Sequence, residues 1–242
     1  MFTLIKSDYF NEKIKNKLES LDITPVILFD LELSNKNTNK RNIDELLKKK
    51  QELNPKYSAV KITLLSFDNT MAGTVNFLKK DFDVVIGFGG LNKINRFFLE
   101  ETQIDFLQDP QNSFYKNKID FIHHFNSGLN HILCRFASER NIGFIYTLNF
   151  FQSNKAYIPK EIGRINQNIR FHRKYNNPFI LNFDIKDAKQ IKSEDELINI
   201  SQIFDMSIAQ RYQMAEILEK KIMTNSFKKS DNYICDGIEK IE

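Results

Sequence analysis

Short runs of apolar residues, each bounded by polar or turn-forming residues, recur along the chain and predict β-strands. The predicted strands are 2–5, 25–33, 59–67, 84–88, 104–107, 119–122, 142–148 and 179–183. Between most of these runs, apolar residues recur every three or four positions, which predicts helices. The predicted helices are 10–21, 42–53, 71–80, 91–101, 127–140, 159–176, 193–204 and 207–222.

The alternation of strand and helix predicts the fold class. Continuous apolar strands are typical of a parallel sheet that is covered on both faces. Eight strand–helix units predict an α/β fold that closes into a single (β/α) TIM-like barrel, and such barrels commonly have about 250 residues. No Pro-, Gly- or Ser-rich linker interrupts the 242 residues. We therefore expect one barrel domain at 1–223 and a tail at 224–242 that becomes ordered against a partner.

Composition adds only mild constraints. The 35 basic and 31 acidic residues give a net charge of +4, a slight preference for polyanions that does not by itself identify a nucleic-acid-binding protein. No run of 18 or more apolar residues is present, and the N-terminus does not resemble a secretory signal, so a location inside the cell is expected. The two cysteines, about a hundred positions apart, form neither a disulfide framework nor a zinc ligand set.

The segment 119–149 reads as a complete βαβ unit with a tight turn before its helix. Ser127 is the predicted N-cap, and an apolar stripe along the helix is expected to face the sheet. The residues of this stripe are Leu129, Ile132, Leu133 and Phe136. His131 and Arg135 fall away from it. The turn at 126–128 fits either a phosphate held by the free N–H groups of a helix start or a plain capped helix, with Gly128 allowing close packing.

The helix predicted at 159–176 combines basic and aromatic residues. Its buried stripe is expected to be Ile158, Ile162, Ile165 and Ile169. Arg164, Asn168, Phe171 and Tyr175 are expected to lie on the opposite, outer face, with Arg170 and Lys174 on one flank. Such a face suits stacking on bases and neutralising phosphates. The alternative is a solvated helix that contacts a neighbour.

In a barrel enzyme, catalytic groups lie where strands end and loops begin. The polar residues at these positions are Asp30, Asp68, Asp109, His123, His124, Asn149 and Asp184. With only four histidines in the chain, a histidine-rich polynuclear metal site is excluded. The GFGG segment at 87–90 lacks the spacing of a phosphate-binding loop and is better explained as a strand-to-helix turn.

Three segments carry a family resemblance: NSGLNHILCRFASERNIG at 126–143, RINQNIRFHRKYNNPFIL at 164–181 and SEDELINISQIFDMS at 193–207. In this order and spacing they resemble archaeal ribonuclease P protein component 3. The resemblance implies a TIM-like barrel related to PHP-type metal-dependent phosphoesterases but without a catalytic metal site. Those phosphoesterases carry an HxH motif after the first strand, where this chain has LIKSDYF, with Asp8 but no histidine.

The resemblance also implies a function. It indicates a non-catalytic subunit of the ribonucleoprotein that removes the 5′ leader from precursor tRNA, an endonuclease whose chemistry is done by RNA. The implied partners are the ribonuclease P RNA, precursor tRNA, protein component 2 and the other proteins of the particle, in the cytoplasm and without a membrane. No cofactor is expected on this subunit, with Mg²⁺ held at the RNA. The residues proposed to bind RNA or a partner are Ser127, Gly128, Asn130, His131, Arg135, Arg164, Asn168, Arg170, Arg173 and Lys174.

Two other functions stay open from sequence alone. A PHP-type phosphoesterase would use Asp8, His123 and Asp184 at the barrel mouth, and an aldolase or isomerase would need a lysine such as Lys186 in an apolar pocket. If the outer face of the 159–176 helix binds RNA, Arg164 and Arg170 should be replaceable without loss of folding.

Overall fold

The computed structural model of the chain describes residues 1–34, 36–66, 71–112, 120, 125–148, 158–230, 233–235 and 238–239. Seven parallel strands form one sheet in the order of the chain. They are β1 Phe2–Lys6, β2 Thr24–Leu33, β3 Ser58–Leu64, β4 Val84–Phe88, β5 Phe106–Gln108, β6 Gly143–Thr147 and β7 Phe179–Asn182. A short antiparallel pair, β8 Tyr233–Cys235 and β9 Ile238–Glu239, lies in the C-terminal segment.

The described helices are α1 Glu12–Ser20, α2 Lys36–Leu53, α3 Met71–Phe77, α4 Asn92–Glu101, α5 His131–Glu139, α6 Ile158–Tyr175, α7 Glu194–Ile200 and α8 Ile208–Lys228. Polar residues set several helix starts. The Ser193 hydroxyl accepts a hydrogen bond from the N–H of Glu196, and the Glu196 carboxylate accepts one from the N–H of Ser193. This reciprocal capping begins α7, and Ser207 with Gln210 begins α8 in the same way.

Seven of the eight predicted strands are confirmed, with ends that shift by up to three residues. The eighth, 119–122, lies outside the described residues except for Asp120. β5 and β6 are direct hydrogen-bonded neighbours, with Phe106 opposite Gly143. The strand that precedes α5 in the sheet is therefore β5, and the βαβ unit predicted at 119–149 is confirmed only in its helix and second strand.

The sheet bends into a nearly closed barrel, as predicted. No ladder of hydrogen bonds joins β7 to β1 in the described chain, and α8 packs against both of these strands. Met214 and Leu218 of α8 are buried there. The barrel is covered by helices, and its strands are buried on both faces, which explains why they read as continuous apolar runs.

The last helix continues further than the sequence pattern indicates. α8 runs to Lys228, six residues beyond the predicted 207–222, so the expected boundary at 223 falls inside it. Beyond residue 223, Nδ2 of Asn225 donates to the carbonyl of Asp83 at 2.8 Å, and Nζ of Lys229 donates to the carbonyl of Phe82 at 2.8 Å. These bonds hold the end of α8 against the loop before β4. Within the described residues, no helix is long and apolar enough to span a membrane.

We expect Leu218→Ala to destabilise the protein, because α8 covers the seam between β7 and β1. Leu218 is 2 % exposed, so its truncation leaves a cavity and should lower the free energy of unfolding by about 2–5 kcal/mol. Met223→Ala is the matched control on the same helix, since Met223 is 48 % exposed. Thermal and urea unfolding measure both variants. Equal small losses would show that α8 does not close the barrel.

Candidate functional site

A buried amide holds together three loops at the carboxyl ends of the strands. Asn95 of α4 is fully buried, and its Oδ1 accepts a hydrogen bond from the N–H of Gly90 at 2.9 Å. Its Nδ2 donates to the carbonyl of Pro110 at 3.0 Å and to that of Gly128 at 2.8 Å. One side chain thus joins the loops after β4 and β5 to the turn before α5.

Gly128 is required at this junction. Its φ is +78°, and a Cβ added there would lie 1.9 Å from the carbonyl oxygen of Pro110 and 2.7 Å from Nδ2 of Asn95. The backbone of Pro110 cannot yield as the end of a flexible side chain could. The packing role predicted for Gly128 is therefore confirmed by the geometry.

The start of α5 differs from the prediction. Asn130, not Ser127, is the N-cap, and its Oδ1 accepts from the N–H of Leu133 at 2.9 Å. Ser127 is buried instead, where its hydroxyl accepts from Nε2 of Gln167 at 2.9 Å. Serine and asparagine are both good N-caps, so the sequence does not distinguish them. The Ser127 hydroxyl therefore contacts α6 and does not face solvent.

The buried face of α5 is rotated relative to the predicted stripe. Leu133, Cys134 and Ala137 are buried, whereas Ile132 is 52 % exposed. Because the helix begins only at His131, Leu129 belongs to the turn and does not extend the stripe. His131 and Arg135 are exposed as predicted, and Arg135 pairs with Glu139 at 2.8 Å.

The expectation that Arg164 and Asn168 lie on an outer face is wrong. Arg164 is 4 % exposed and binds Asp120 through Nε at 3.1 Å and Nη2 at 2.9 Å, and Glu161 through Nη1 at 3.0 Å. Asn168 is fully buried and donates to the carbonyl of Ser127 at 3.1 Å. The reason is tertiary: the segment 125–128 covers the first half of α6. Arg164 is therefore structural, and its replacement should impair folding.

The second half of α6 presents three exposed cations, Arg170, Arg173 and Lys174. Arg170 donates to Oδ2 of Asp205 at 3.0 Å, and Arg173 donates to the carbonyl of the same residue at 2.6 Å. Hydrogen bonding from Arg170 lowers the pKa of Asp205, so this carboxylate stays ionised. Lys174 is also exposed. We call the exposed set His131, Arg135, Arg170, Arg173 and Lys174 the basic face.

The predicted aromatic component of the basic face is only partly present. Phe171 and Tyr175 are half-buried and pack against the core. Tyr175 is close enough to Arg135 to affect its pKa, which places it where α5 and α6 meet. The arrangement can neutralise phosphates with several exposed cations.

Behind the basic face, α6 is anchored by a buried polar pair that the sequence did not indicate. Nε2 of His172 lies 2.6 Å from the hydroxyl of Tyr146 on β6, and the imidazole stacks on Phe144 with centroids 4.3 Å apart. Burial lowers the pKa of His172 to about 3, so the ring is neutral at physiological pH. A neutral histidine suits this apolar setting and serves to fix the helix.

At the barrel mouth, lysines neutralise the strand-end carboxylates. Lys6 of β1 lies 3.4 Å from Asp30 of β2 and 3.8 Å from Asp184, which follows β7. Lys61 of β3 reaches the other oxygen of Asp30 at 2.7 Å. This chain of alternating charges bridges the seam between β7 and β1. The attraction to Asp30 and Asp184 outweighs the effect of burial, so the pKa of Lys6 is raised and the ammonium stays charged.

The described carboxylates of the alternative phosphoesterase site, Asp8 and Asp184, are engaged in ion pairs. Asp8 pairs with Lys49 of α2 at the surface, and Asp184 pairs with Lys6 and Lys186. The side chain of Lys186 is 53 % exposed, so it does not occupy the apolar pocket that an aldolase needs. Among the residues that the structure describes, no three His, Cys, Asp or Glu side chains are grouped to hold a metal. Four other strand-end candidates lie outside the described residues: Asp68, His123, His124 and Asn149.

Asp109 is the strand-end candidate with a distinct environment. It is buried, has a φ of +49°, and its Oδ1 accepts from the N–H of Thr147 at 2.7 Å. Burial raises its pKa from the ordinary 3.8 to about 6, and the bonds from Thr147, Gln111 and Gln108 only partly offset that effect. Thr147 is on β6, so Asp109 ties the end of β5 to its neighbour.

We expect Gly128→Ala to destabilise the protein by several kcal/mol, because the methyl group forces the 125–130 turn away from Pro110 and breaks the Asn95 bonds. The control is Gly73→Ala in α3, where an added Cβ meets nothing within 4 Å and should stabilise the helix by up to about 1 kcal/mol. Chemical denaturation compares the two. A Gly128→Ala protein as stable as the control would refute the role of this junction.

We expect Asp109→Asn to raise stability at neutral pH. The folded carboxyl holds its proton more tightly than the unfolded one, so its contribution to stability decreases as the pH rises from about 4 to about 6. Well above pH 6 the buried charge of Asp109 lowers the free energy of unfolding by about 3 kcal/mol. The amide keeps an acceptor for Thr147 and removes the charge. Unfolding from pH 4 to 8 should show a gain over the original chain that grows with pH. A constant difference would mean that Asp109 does not titrate between these limits.

No family model matches the chain. In sequence it is 25 % identical over 171 residues to ribonuclease P protein component 3 of Methanosarcina mazei, and 27 % identical over 190 residues to that of Methanococcus maripaludis. These matches cover 70 % and 77 % of this chain, and 66 % and 75 % of the relatives. The chain thus spans about two thirds to three quarters of the length of the curated relatives that it matches.

The fold also resembles that of a chain in a solved structure. A chain in a cryo-EM structure of archaeal ribonuclease P with mature tRNA matches 100 % of this chain and 98 % of its own length, with a TM-score of 0.72 and 19 % identity. At that identity the likeness establishes the fold alone. The predicted resemblance to archaeal ribonuclease P protein component 3 is therefore confirmed by sequence over most of the chain.

Proposed function

We propose that this chain is a protein subunit of an archaeal ribonuclease P, the ribonucleoprotein that removes the 5′ leader from precursor tRNA. The observation that carries the proposal is the sequence similarity to component 3 proteins along 70–77 % of the chain. Two of the three resembling motifs, at 126–143 and 164–181, belong to one packed structure, because Asn95 and Asn168 join the turn at 126–130 to α4 and α6.

The proposed role is to support the catalytic RNA rather than to perform chemistry. The lysines at the mouth neutralise Asp30 and Asp184, so these carboxylates are engaged in holding the barrel seam. A scaffold needs a rigid shape and scattered phosphate contacts. The basic face offers exposed cations on α6, a helix that is fixed to β6 by the contact between His172 and Tyr146. We propose that the subunit holds no cofactor of its own and that Mg²⁺ acts at the RNA of the particle.

The proposed partners are the ribonuclease P RNA, precursor tRNA and the other proteins of the particle, with protein component 2 in direct contact. The proposed location is the cytoplasm. Assembly can be tested by purifying the tagged full-length chain from its own cells. One structured RNA and the other proteins should accompany it, and recovery of the chain without any RNA would contradict the proposal.

We expect the triple variant Arg170→Ala, Arg173→Ala, Lys174→Ala to fold normally and to weaken RNA binding. Each cation that no longer neutralises a phosphate should reduce the slope of log K against log salt by roughly 0.7–0.9, a total of about 2–3. The matched control removes three cations elsewhere, Arg41, Arg96 and Lys220, each 70–81 % exposed in a helical ion pair. Binding to the RNA is measured from low to high salt, and cleavage of precursor tRNA by the reconstituted particle is measured alongside. Equal behaviour of the two triple variants would show that the basic face is merely solvated.

A further inference from the structure

One carboxylate lies between two arginines of the basic face. Oδ2 of Asp205 accepts a hydrogen bond from Nε of Arg170 at 3.0 Å, and its Oδ1 lies 3.7 Å from Nη2 of Arg173. The two arginines are three residues apart on α6, so they are neighbours on one side of the helix. Each oxygen of the carboxylate thus faces a different guanidinium group.

The backbone of residue 205 is held independently of this carboxylate. Its N–H donates to Oδ1 of Asn166 at 2.9 Å, and its carbonyl accepts from Nη2 of Arg173 at 2.6 Å. The flanking side chains of Phe204 and Met206 are 3 % and 5 % exposed, so they fix the segment against the core. The position of residue 205 therefore does not require a negative charge on its side chain.

The ion pairs themselves are accessible to solvent. The side chains of Arg170, Arg173 and Asp205 are 71 %, 48 % and 44 % exposed. Exposed ion pairs contribute little to stability, because water and salt screen them. The hydrogen bond from Arg170 lowers the pKa of Asp205, so the carboxylate is ionised at neutral pH. An anion from solution can therefore reach the two guanidinium groups, where it meets the charge of Asp205.

The spacing of the two guanidinium groups suits one phosphate group. A phosphodiester shares one negative charge between two oxygens, and arginine binds such oxygens through its planar set of N–H donors. A guanidinium group has five N–H donors, and the bonds to residue 205 use Nε of Arg170 and Nη2 of Arg173. Both arginines thus keep donors for phosphate oxygens.

We propose, on the basis of the proposed function, that Arg170 and Arg173 form one phosphate site for RNA and that Asp205 occupies this site until a backbone phosphate displaces it. When the phosphate binds, the carboxylate of Asp205 turns toward solvent, while the backbone of residue 205 stays in place. The charge of Asp205 still repels the phosphate from this short distance. Asp205 therefore limits the affinity of the basic face for RNA.

RNA is favoured over an acidic protein segment as the ligand. The other members of the basic face are His131, Arg135 and Lys174, and they are exposed on α5 and α6, two helices that pack against each other. Several cations spread over two neighbouring helices suit the regularly spaced phosphates of a nucleic-acid strand. The arginine pair is thus one of several contacts that a single RNA can make.

The test compares Asp205→Asn with Glu45→Gln in the full-length chain. Both substitutions replace a carboxylate by the corresponding amide and remove one negative charge. Glu45 is the matched control, because its Oε1 accepts from Nε of Arg41 at 2.9 Å in an exposed ion pair on α2. The probes are the ribonuclease P RNA of the same cells and an unrelated RNA duplex of equal length. Affinity is measured from low to high salt, and thermal unfolding checks each protein.

We expect Asp205→Asn to bind RNA about five- to eightfold more tightly than Glu45→Gln at about 0.1 M salt, and equally tightly at about 1 M. One more phosphate is neutralised, so the slope of log K against log salt should become steeper by roughly 0.7–0.9, and this change gives that factor over a tenfold range of salt. Equal affinity of the two variants at all salt concentrations, or weaker binding by Asp205→Asn, would overturn the proposal.

The same two substitutions in a chain that carries Arg170→Ala and Arg173→Ala show where the gain arises. Without the arginines, Asp205→Asn should give no gain over Glu45→Gln, because no phosphate site remains to be freed. A gain of unchanged size would mean that Asp205 acts through its charge alone, and the proposed site would be wrong. If Asp205→Asn strengthens binding only to the other proteins of the particle, the ligand is a protein carboxylate, and the RNA site is wrong as well.

The two RNAs separate the phosphate site from the proposed function. If the original chain shows no preference for the ribonuclease P RNA, yet Asp205→Asn strengthens duplex binding through the arginines, the proposed function fails and the phosphate site stands. If the preference is present but the two variants bind equally, the site fails alone. A chain that binds neither RNA contradicts both.

Discussion

The arrangement of the upper end of this barrel depends on the hydrogen bonds of one buried amide. Asn95 binds three loops at once, and each of its polar atoms has a backbone partner from a different segment. The bonds require that residue 128 has no side chain, because Pro110 occupies the space of a Cβ. A buried amide with unpaired atoms would cost free energy, so the three loops keep their positions together or lose them together.

That constraint determines which cations face solvent. The turn fixed by Asn95 covers the first half of α6, where Ser127 receives bonds from Gln167 and Asn168. Arg164 is consequently enclosed with two carboxylates, while Arg170, one and a half turns further along, is 71 % exposed in its side chain. The part of the basic face that belongs to α6 thus consists of the cations beyond the segment that the turn covers.

The strands of the barrel could be predicted from the sequence more accurately than the exposure of individual side chains. Continuous apolar runs located seven strands because both faces of a parallel sheet are buried, whatever the tertiary details. The exposure of α6 could not be deduced from a helical wheel, since Arg164 and Asn168 are polar yet held inside by hydrogen bonds. Asn95 gave no signal at all, because its role exists only when residues 90, 110 and 128 are brought together. The N-cap of α5 was misplaced by three residues for a local reason, namely two competent caps in one turn.

Lysine has three different roles in this chain, and its surroundings distinguish them. Lys6 and Lys61 sit between carboxylates at the mouth, where each positive charge has a negative partner and the result is a closed seam. Lys13, Lys15 and Lys17 of α1 are exposed and surrounded by solvent. Lys221 and Lys229 belong to neither class, because they fasten the end of α8 to the backbone carbonyls of Asn141 and Phe82. A neutral acceptor fixes the position of an ammonium group without cancelling its charge, so burial lowers the pKa of both lysines.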